Sequence, residues 1–355
     1  MLVRPNAGSV ALALALSAMG GCAPQIMPEP SPQLAVVTAR GETEPVGTQN
    51  ADAADDPAIW RNAANPKASL IVATDKKAGL YVYAMDGKVR SFLDAGRVNN
   101  VDLFELPGEG IIVAASDRND ESQAMLALFR LDPQTAILSP IGKVKAGKGE
   151  AYGICLASGK FTGGGPKDIT AISVLKNGKI RQMLLTIQGD NVAKGQSREL
   201  SVPTQPEGCV ADEKSGHLYI GEEDAGIWQF PLNSTAAAEG KIVAAIDNIR
   251  LTADVEGLAI IEQDKARYLI ASSQGDNSYA LFTLPDMRFA GNFVIGDGPA
   301  IGGTSETDGI AVMAGSFGDA YPGGLFVAQD GDNGTKPQNF KLVSWTDIRA
   351  ALKLK

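Results

Sequence analysis

The sequence predicts an all-β fold, a six-bladed β-propeller with four antiparallel strands in each blade. A pattern recurs six times, roughly every fifty residues, which is typical of a propeller blade. Each repeat holds short apolar runs separated by Gly-, Asn- and Asp-containing turns, and no long helical periodicity competes with them. We expect one short helix at 346–353. The segment 33–40 precedes the first repeat, and we expect it to supply an outer strand to the last blade and so close the ring.

The first strand of each repeat carries the clearest signature. A polar residue stands at its start, and an apolar run follows it; a second apolar run, a polar loop and a third run come next, with a weaker fourth strand. The six starts read DDPAIW, NVDLFEL, AYGICLA, PEGCVAD, VEGLAII and TDGIAVM, and the aligned residues are Asp56, Asp102, Tyr152, Glu207, Glu256 and Asp308.

Composition narrows the class of ligand. The 355 residues are 44% apolar, enough for a sizeable core, and the 40 glycines suit a fold dense in turns. A net charge of −9 argues against a general nucleic-acid binder and favours cations or a cation-bridged ligand. The single histidine, His217, lies in a strand pattern, so nothing indicates a zinc site.

The N-terminus predicts export. Residues 1–21 have an early arginine and a short apolar run, as in a lipoprotein signal peptide, and 22–33 is a Pro-rich tether before the propeller domain at 34–355. The motif MGGC resembles a lipobox, which would acylate Cys22; ordinary cleavage nearby is the alternative. We expect a monomer in the outer membrane or periplasm of a Gram-negative cell, which contacts the membrane only through this anchor.

Two further cysteines, Cys155 and Cys209, occupy the same phase of the repeat. Export permits a disulfide between neighbouring inner strands. The interpretation we favour is two small buried apolar residues, and the bridge stays open as an alternative.

Antiparallel strands bring the start of strand one and the end of strand two to the same face of a blade. Two sets of polar residues therefore meet at one mouth of the ring. The strand-one set is Asp55, Asp56, Asp102, Glu207, Asp254, Glu256 and Asp308. The strand-two set is Lys76, Lys77, Arg118, Lys176, Glu222, Glu223, Gln274, Asp276 and Asp330. One half of the mouth suits anions; converging carboxylates in the other half repel each other, and hard oxygen ligands suit Ca²⁺.

Several long motifs, in order, resemble those of the β-propeller phytases across roughly residues 40–350. They include DAADDPAIW, TDKKAGLYVY, EGCVADEKSGHLYIGEEDAGIW, DVEGLAI and YPGGLFVAQDG. The resemblance implies a six-bladed propeller that acts as a 3-phytase-type phosphoric monoester hydrolase. It would release phosphate from phytate, myo-inositol hexakisphosphate, taken as its calcium complex, with several Ca²⁺ ions and a metal-activated water at the channel mouth.

The resemblance also implies roles for single residues. Calcium ligands would be Asp56, Glu207, Asp254 and Glu256, with Glu42, Asp55 and Glu223 close by, and Asp308 and Asp330 would serve further metal or phosphate sites. Their repeat positions add Asp102 and Gln274 as metal ligands. Phosphate-binding and catalytic positions would be Lys76, Lys77, Arg118, Tyr152 and Lys176, while Glu207 and Glu256 position the attacking water. Gly302 stands where the family usually has Asp, which removes one ligand of a structural calcium.

Other phosphatase chemistries lack their motifs. His217 is followed by Leu218, so there is no RHG nucleophile, and no cysteine has an arginine six residues on. No Walker loop is present. Two alternatives to a phytase remain open at this point: a calcium-dependent propeller lactonase or esterase, and a non-catalytic surface propeller that binds a partner.

Overall fold

A computed structural model describes residues 34–49 and 52–354. These residues form a ring of small antiparallel sheets, which confirms the six-bladed propeller. The predicted signal peptide at 1–21, tether at 22–33 and lipidated Cys22 lie outside the described residues and stay predictions. Within the described part of the chain, no helix has the length and apolar character to cross a bilayer.

Each blade is a meander in which strands pair in the order of the chain. Blade one holds β3 (Ala54–Trp60), β4 (Leu70–Asp75), β5 (Gly79–Ala84) and β6 (Val89–Asp94). Blade two holds β7 (Val98–Leu106), β8 (Gly110–Asp117), β9 (Gln123–Asp132) and β10 (Ile137–Lys148). Blade three holds β11 (Ala151–Ser158), β12 (Asp168–Leu175), β13 (Lys179–Gln188) and β14 (Asn191–Ser201).

The second half of the ring repeats this order. Blade four holds β15 (Pro206–Asp212), β16 (His217–Glu222), β17 (Gly226–Pro231) and β18 (Lys241–Ala245). Blade five holds β19 (Val255–Gln263), β20 (Ala266–Ser273), β21 (Ser278–Thr283) and β22 (Phe289–Gly296). Blade six holds β23 (Ile310–Ala314), β24 (Gly324–Asp330) and β25 (Asn339–Ser344). Short 3-10 turns lie at Pro66–Ala68, Gly159–Thr162 and Gln274–Asp276.

The N-terminal segment closes the ring, but one step later along the chain than predicted. The outer strand of blade six is β2 (Gly41–Glu42), which pairs antiparallel with β25. The middle of the predicted segment 33–40 instead forms β1 (Ala35–Thr38), a fifth strand that runs parallel to β22 on blade five. The chain thus contacts two neighbouring blades in succession, which the apolar pattern of the segment did not distinguish.

The predicted short helix is confirmed as α1 (Trp345–Ala351). Trp345 and Ile348 are buried on it and pack against the apolar cluster between blades five and six. The core consists of six such clusters, one at each boundary between neighbouring blades. The inner strands surround a narrow central channel of about 200 Å³.

Cys155 and Cys209 form a disulfide, so the interpretation of two unpaired small residues is wrong. The bridge joins β11 to β15, the inner strands of blades three and four, and closes a separation of 54 residues in sequence. The sequence pattern assigned both cysteines the same phase, although the strand pairing makes Ile154 rather than Cys155 the equivalent of Cys209. It could not tell whether two such positions on adjacent inner strands face each other.

Candidate active site

A recurring bulge fixes the polar residue at the start of each inner strand. Pairing between the first and second strands slips by one residue at the same place in blades one to five. A bulge re-aims one side chain locally. The residues at this repeated position, which we call the ring residues, are Asp55, Asn99, Tyr152, Glu207, Glu256 and Asp308.

A glycine follows four of the six ring residues and lets neighbouring inner strands touch. The Gly257 N–H donates to the Asp308 carbonyl at 2.9 Å, and the Gly309 N–H donates to the Asp55 carbonyl at 3.0 Å. A Cβ at Gly208 would overlap the carbonyl oxygen of Glu256. The acid–glycine pairs of the sequence therefore bring carboxylates from successive blades close together around the axis.

A second set of residues leaves strand two of each blade at the same end of the ring. The backbone N–H of Lys76 donates to the Ala53 carbonyl at 2.7 Å, and that of Glu223 donates to the Gln205 carbonyl at 3.0 Å; equivalent bonds recur around the ring. We call these the exit residues: Lys76, Arg118, Lys176, Glu223, Gln274 and Gly331. Their order is three cationic residues, then an acid, an amide and a glycine, so the mouth is electrostatically two-sided as expected.

Four residues of each set line one cleft of about 550 Å³ at this mouth. They are the ring residues Tyr152, Glu207, Glu256 and Asp308 and the exit residues Lys76, Glu223, Gln274 and Gly331. Its walls carry many more polar than apolar groups, including Asp52, Lys76, Tyr152, Gln205, Glu207, Glu223, Asp254, Glu256, Gln274, Glu306 and Asp308. Such a cleft suits a small, strongly charged ligand rather than an apolar one.

Three carboxylates converge on the acidic side. One oxygen from each of Glu207, Glu223 and Glu256 lies within 4.8 Å of the other two. Glu207 and Glu256 are buried, and Glu256 Oε2 has no hydrogen-bond partner among the described residues. Asn99 Nδ2 donates to Glu207 Oε1 at 2.8 Å. A buried carboxylate oxygen without a donor is costly, and a divalent cation would relieve that cost.

Burial and mutual repulsion raise the pKa values of the carboxylates on the acidic side of the cleft. Burial, and then repulsion from Glu256 and Asp55, raises the pKa of Glu207 well above its ordinary value. Burial, and then the charges of Asp308 and Glu223, does the same to the pKa of Glu256. Burial and Asp55 raise the pKa of Asp308 to about 7 against the opposing effect of Lys76. The all-oxygen donor set and the mutual repulsion fit a calcium ion.

Lys76 supplies an internal counter-charge on the floor of the cleft. Its Nζ lies 2.8 Å from Asp52 Oδ1, 3.2 Å from Asp55 Oδ2 and 3.0 Å from Asp308 Oδ2. Burial alone would lower the pKa of Lys76, but these three carboxylates raise it above its ordinary value. The ammonium is therefore a fixed positive charge at neutral pH.

Tyr152 organises the cationic side. The Lys176 Nζ lies 5.1 Å from the centre of its ring and the Arg118 guanidinium carbon 6.0 Å away, distances at which cations are attracted to an aromatic face. Arg118 Nη1 also donates to Glu150 Oε1 at 3.1 Å. Burial, together with Glu207 and Glu256, raises the pKa of the Tyr152 phenol, which keeps its proton.

Comparison with known proteins assigns this arrangement to a family. The family model described as Phytase matches residues 7–355. The chain belongs to the phytase family. A 3-phytase from Bacillus subtilis (strain 168) is 40% identical over 326 residues, which cover 88% of this chain and 84% of that protein. This membership confirms the resemblance noted in the sequence and disfavours the lactonase and partner-binding alternatives.

Among solved structures, that of BBS1N in complex with ARL6DN aligns with 78% of this chain and 76% of that chain. The aligned residues are 9% identical and the TM-score is 0.46.

The structure brings most of the predicted site residues of this family member together. The cleft is lined by Lys76, Tyr152, Glu207, Glu223, Asp254, Glu256, Gln274 and Asp308. Asp55 is buried beside Lys76, and Arg118 and Lys176 flank Tyr152. Lys77 follows Lys76 but is exposed and outside the cleft lining; its backbone N–H donates to Asp75.

Two predicted ligands face the central channel instead of the cleft. Asp56 Oδ2 accepts the Val101 N–H at 3.0 Å, and Asp102 Oδ2 accepts the Leu156 N–H at 2.7 Å, so each carboxylate joins its blade to the next. The alignment of Asp56 and Asp102 with Glu207 is wrong, because the ring positions in blades one and two are Asp55 and Asn99.

Four more predicted residues lie within or between blades. Glu42 and Asp330 contact the buried Lys341, whose Nζ is 2.6 Å from Glu42 Oε2 and 3.2 Å from Asp330 Oδ2. Asp330 lies one residue before the exit position, as does Glu222, which accepts hydrogen bonds from Thr204 and Trp228. Asp276 caps Ser278. Gly302 lies in a separate groove, and its expected effect on a structural calcium stays a prediction.

Sequence reasoning missed several cleft residues that share one signal. The position two residues before a ring residue is Glu150 in blade three, Gln205 in blade four, Asp254 in blade five and Glu306 in blade six; of these, only Asp254 was among the predicted site residues. All but Glu150 line the cleft, and Glu150 contacts Arg118. Scanning this phase of the repeat would have found them. Asp52 also lines the cleft, but it does not lie at this position of the repeat.

Proposed function

We propose that this chain hydrolyses phosphate monoesters of phytate, with calcium as cofactor, and releases phosphate and lower inositol phosphates. One observation carries the proposal: three converging carboxylates share a cleft with Lys76 and Tyr152, and two further cations, Arg118 and Lys176, flank that tyrosine. A net charge of −9 disfavours the approach of a bare polyanion, whereas a calcium complex of that polyanion suits the acidic half. Family membership supports the same reaction.

Glu207, Glu223 and Glu256 would hold the cation, with Asp254 and Asp308 on the same wall of the cleft. The cleft has more carboxylates than one calcium ion needs, which supports the binding of several ions. When bound, calcium supplies positive charge that offsets these carboxylates and polarises phosphate oxygens.

The remaining side chains bind and orient the phosphate. Arg118 and Lys176 offer guanidinium and ammonium donors on one side of Tyr152, whose neutral phenol can donate a further hydrogen bond. The Lys76 ammonium keeps its proton, and because its three N–H groups face Asp52, Asp55 and Asp308, it contributes positive charge beside the phosphate rather than a free donor. Together these groups fix the direction in which phosphorus is presented to the acidic side.

The decisive experiment is phosphate release from calcium phytate with and without a chelator. We expect purified wild-type protein to release phosphate, to lose that activity in excess EGTA and to regain it when calcium is added back. Full activity in EGTA would refute the role of calcium, and no release under any condition would refute the reaction.

Variants locate the reaction in the cleft. Lys76→Ala and Glu207→Ala should each reduce kcat/KM about a hundredfold, because the first removes a positive charge beside the bound phosphate and the second removes a ligand of the cation. Lys88→Ala removes an exposed lysine from the same blade as Lys76 and should leave turnover unchanged. Wild-type rates in both cleft variants would show that the reaction takes place elsewhere.

A further inference from the structure

Glu223 is the least firmly placed member of the carboxylate cluster. Glu207 and Glu256 stand on inner strands, where the recurring bulge and the neighbouring glycines fix their backbone. Glu223 lies just after β16, outside any strand, and is only half-buried. Another contact must therefore hold its side chain beside the other two.

Gln205 provides that contact from the loop that leads into β15. Its carbonyl accepts the Glu223 N–H at 3.0 Å, and its side-chain Nε2 donates to Glu223 Oε1 at 2.5 Å. The backbone and the side chain of Gln205 thus each form a hydrogen bond with Glu223. Pro206 follows Gln205 and restricts the backbone of Gln205 to extended conformations, which limits the positions that its side chain can reach.

The same amide reaches the cationic side of the cleft. Gln205 Nε2 lies 3.4 Å from Tyr152 Oη, so its two N–H groups point toward a carboxylate on one side and a phenol on the other. A glutamate at this position would offer no such donors and would repel Glu223. An amide of this length is suited to link the two halves of the cleft.

We propose that Gln205 is a positioning residue that holds Glu223 in the carboxylate cluster and couples that cluster to Tyr152. The proposal rests on the proposed function, because it assigns calcium to the cluster and phosphate to the Tyr152 side. Cation binding and anion binding then depend on the same side chain. Loss of the amide weakens both, although Gln205 touches neither reacting atom.

The test measures calcium binding without substrate. Full-length protein, freed of calcium with EDTA and dialysed, is titrated with CaCl2 by isothermal calorimetry, and inorganic phosphate is then titrated in the presence of calcium. Gln205→Ala should weaken calcium binding about tenfold, in line with the loss of a group that orients a metal ligand, and should also weaken phosphate binding. Gln205→Met keeps the side-chain length without the amide donors, should weaken calcium binding as much as the alanine variant, and gives a readout if that variant does not fold.

Gln229→Ala is the matched control. Gln229 also lies in blade four, and its Nε2 donates to a tyrosine hydroxyl, that of Tyr219, at 3.2 Å, but it is outside the cleft. This variant should bind calcium and phosphate as wild type does.

In steady-state assays with calcium phytate, Gln205→Ala should raise KM more than it lowers kcat. A double variant with Glu223→Gln should be little worse than Glu223→Gln alone, because both changes disable the same carboxylate.

The outcomes separate the two proposals. Wild-type calcium affinity in both Gln205 variants, or multiplicative effects in the double variant, would overturn the positioning role even if the wild-type protein releases phosphate. A tenfold loss of calcium affinity in a protein that releases no phosphate would support the positioning role and refute the proposed reaction.

Discussion

At the scale of single residues, the acid–glycine pairs combine two requirements. The acid projects into the cleft, and the glycine after it lets the next inner strand approach to hydrogen-bonding distance. Glycine is therefore required at these positions for contact between backbones rather than for an unusual φ angle. Blades one and two have Asp56 and Asn100 at the equivalent position. There, a side chain instead of a direct backbone contact bridges the boundary, as the bond from Val101 to Asp56 illustrates.

Gly208→Ala tests this reading of the glycines. The added Cβ would overlap the Glu256 carbonyl, so the inner strands of blades four and five must separate. We expect a loss of about 1–3 kcal/mol in the free energy of unfolding, measured with urea, together with weaker calcium binding because Glu256 moves. Gly165→Ala is the control, since its Cβ would meet nothing closer than 3.7 Å. Equal stability of the two variants would show that close approach is not the reason for glycine at 208.

At the scale of strands, the bulge explains what sequence could and could not predict. The blade count, the strand meander and the shared mouth follow from a repeat that is visible in the sequence. The choice of Asp102 instead of Asn99 was wrong because apolar periodicity shows neither the bulge nor that the ladder resumes at Val101, two residues after the ring position. A slip in register changes which side chain faces the cleft. Asp330 lies one residue before the exit position of blade six, Gly331, whereas the exit position of blade four, Glu223, was among the predicted residues.

Contacts between residues far apart in the chain could not be predicted from the sequence either. Lys341 is nearly fully buried between Glu42 and Asp330, and the pair Lys341–Glu42 joins residues almost three hundred positions apart. Glu42 and Asp330 were predicted as metal ligands because no residue near them in the sequence indicates that the Lys341 ammonium contacts both. Removing one partner of such a buried group is strongly destabilising, so this contact helps to hold β2 on blade six.

The disulfide gives a prediction at this scale. Cys155 and Cys209 lie three and two residues after Tyr152 and Glu207, so the bridge ties the strand of the phenol to the strand of the carboxylate. We expect the double variant Cys155→Ala/Cys209→Ala to lose about 4 kcal/mol in the free energy of unfolding, from the entropy of a loop of 54 residues. Urea unfolding of both proteins, with and without reductant, measures the difference.

The comparison in reductant is the control for that experiment. The wild-type protein, once reduced under denaturing conditions, should approach the stability of the double variant, whereas the variant should not respond to reductant. A variant as stable as oxidised wild type would mean that the apolar cluster between blades three and four holds this boundary without the bridge.

At the scale of the whole molecule, the ring brings charged side chains together at one mouth. Residues from all six repeats, far apart in sequence, reach one mouth, and the fold keeps carboxylates together there at an electrostatic cost. In the calcium-free protein this cost has a definite dependence on pH. Burial and neighbouring carboxylates raise the folded-state pKa values of Glu207, Glu256 and Asp308, the last to about 7. The unfolded chain has ordinary values.

The sign of the effect follows from proton binding. Between the ordinary and the raised pKa values, the folded protein binds more protons than the unfolded chain, so the free energy of unfolding falls as pH rises. We therefore expect calcium-free protein to be less stable at pH 8 than at pH 5.5, by about 1.4 kcal/mol for each unit of pKa difference that is titrated. Lys76 does not offset this trend, because its raised pKa leaves it charged throughout the window.

Calcium should remove most of that dependence. A cation in the cluster takes the place of the bound protons, so the stability of the loaded protein should rise with calcium concentration and change little between pH 5.5 and 8. Urea unfolding at both pH values, before and after calcium is added to EDTA-dialysed protein, gives the four free energies needed. Glu207→Gln should flatten the calcium-free slope, because it removes one of the groups that titrate. If calcium-free protein proved more stable at pH 8 than at pH 5.5, the carboxylates of the cleft would not be under mutual repulsion, and the main physical reason for a cation at this mouth would be lost.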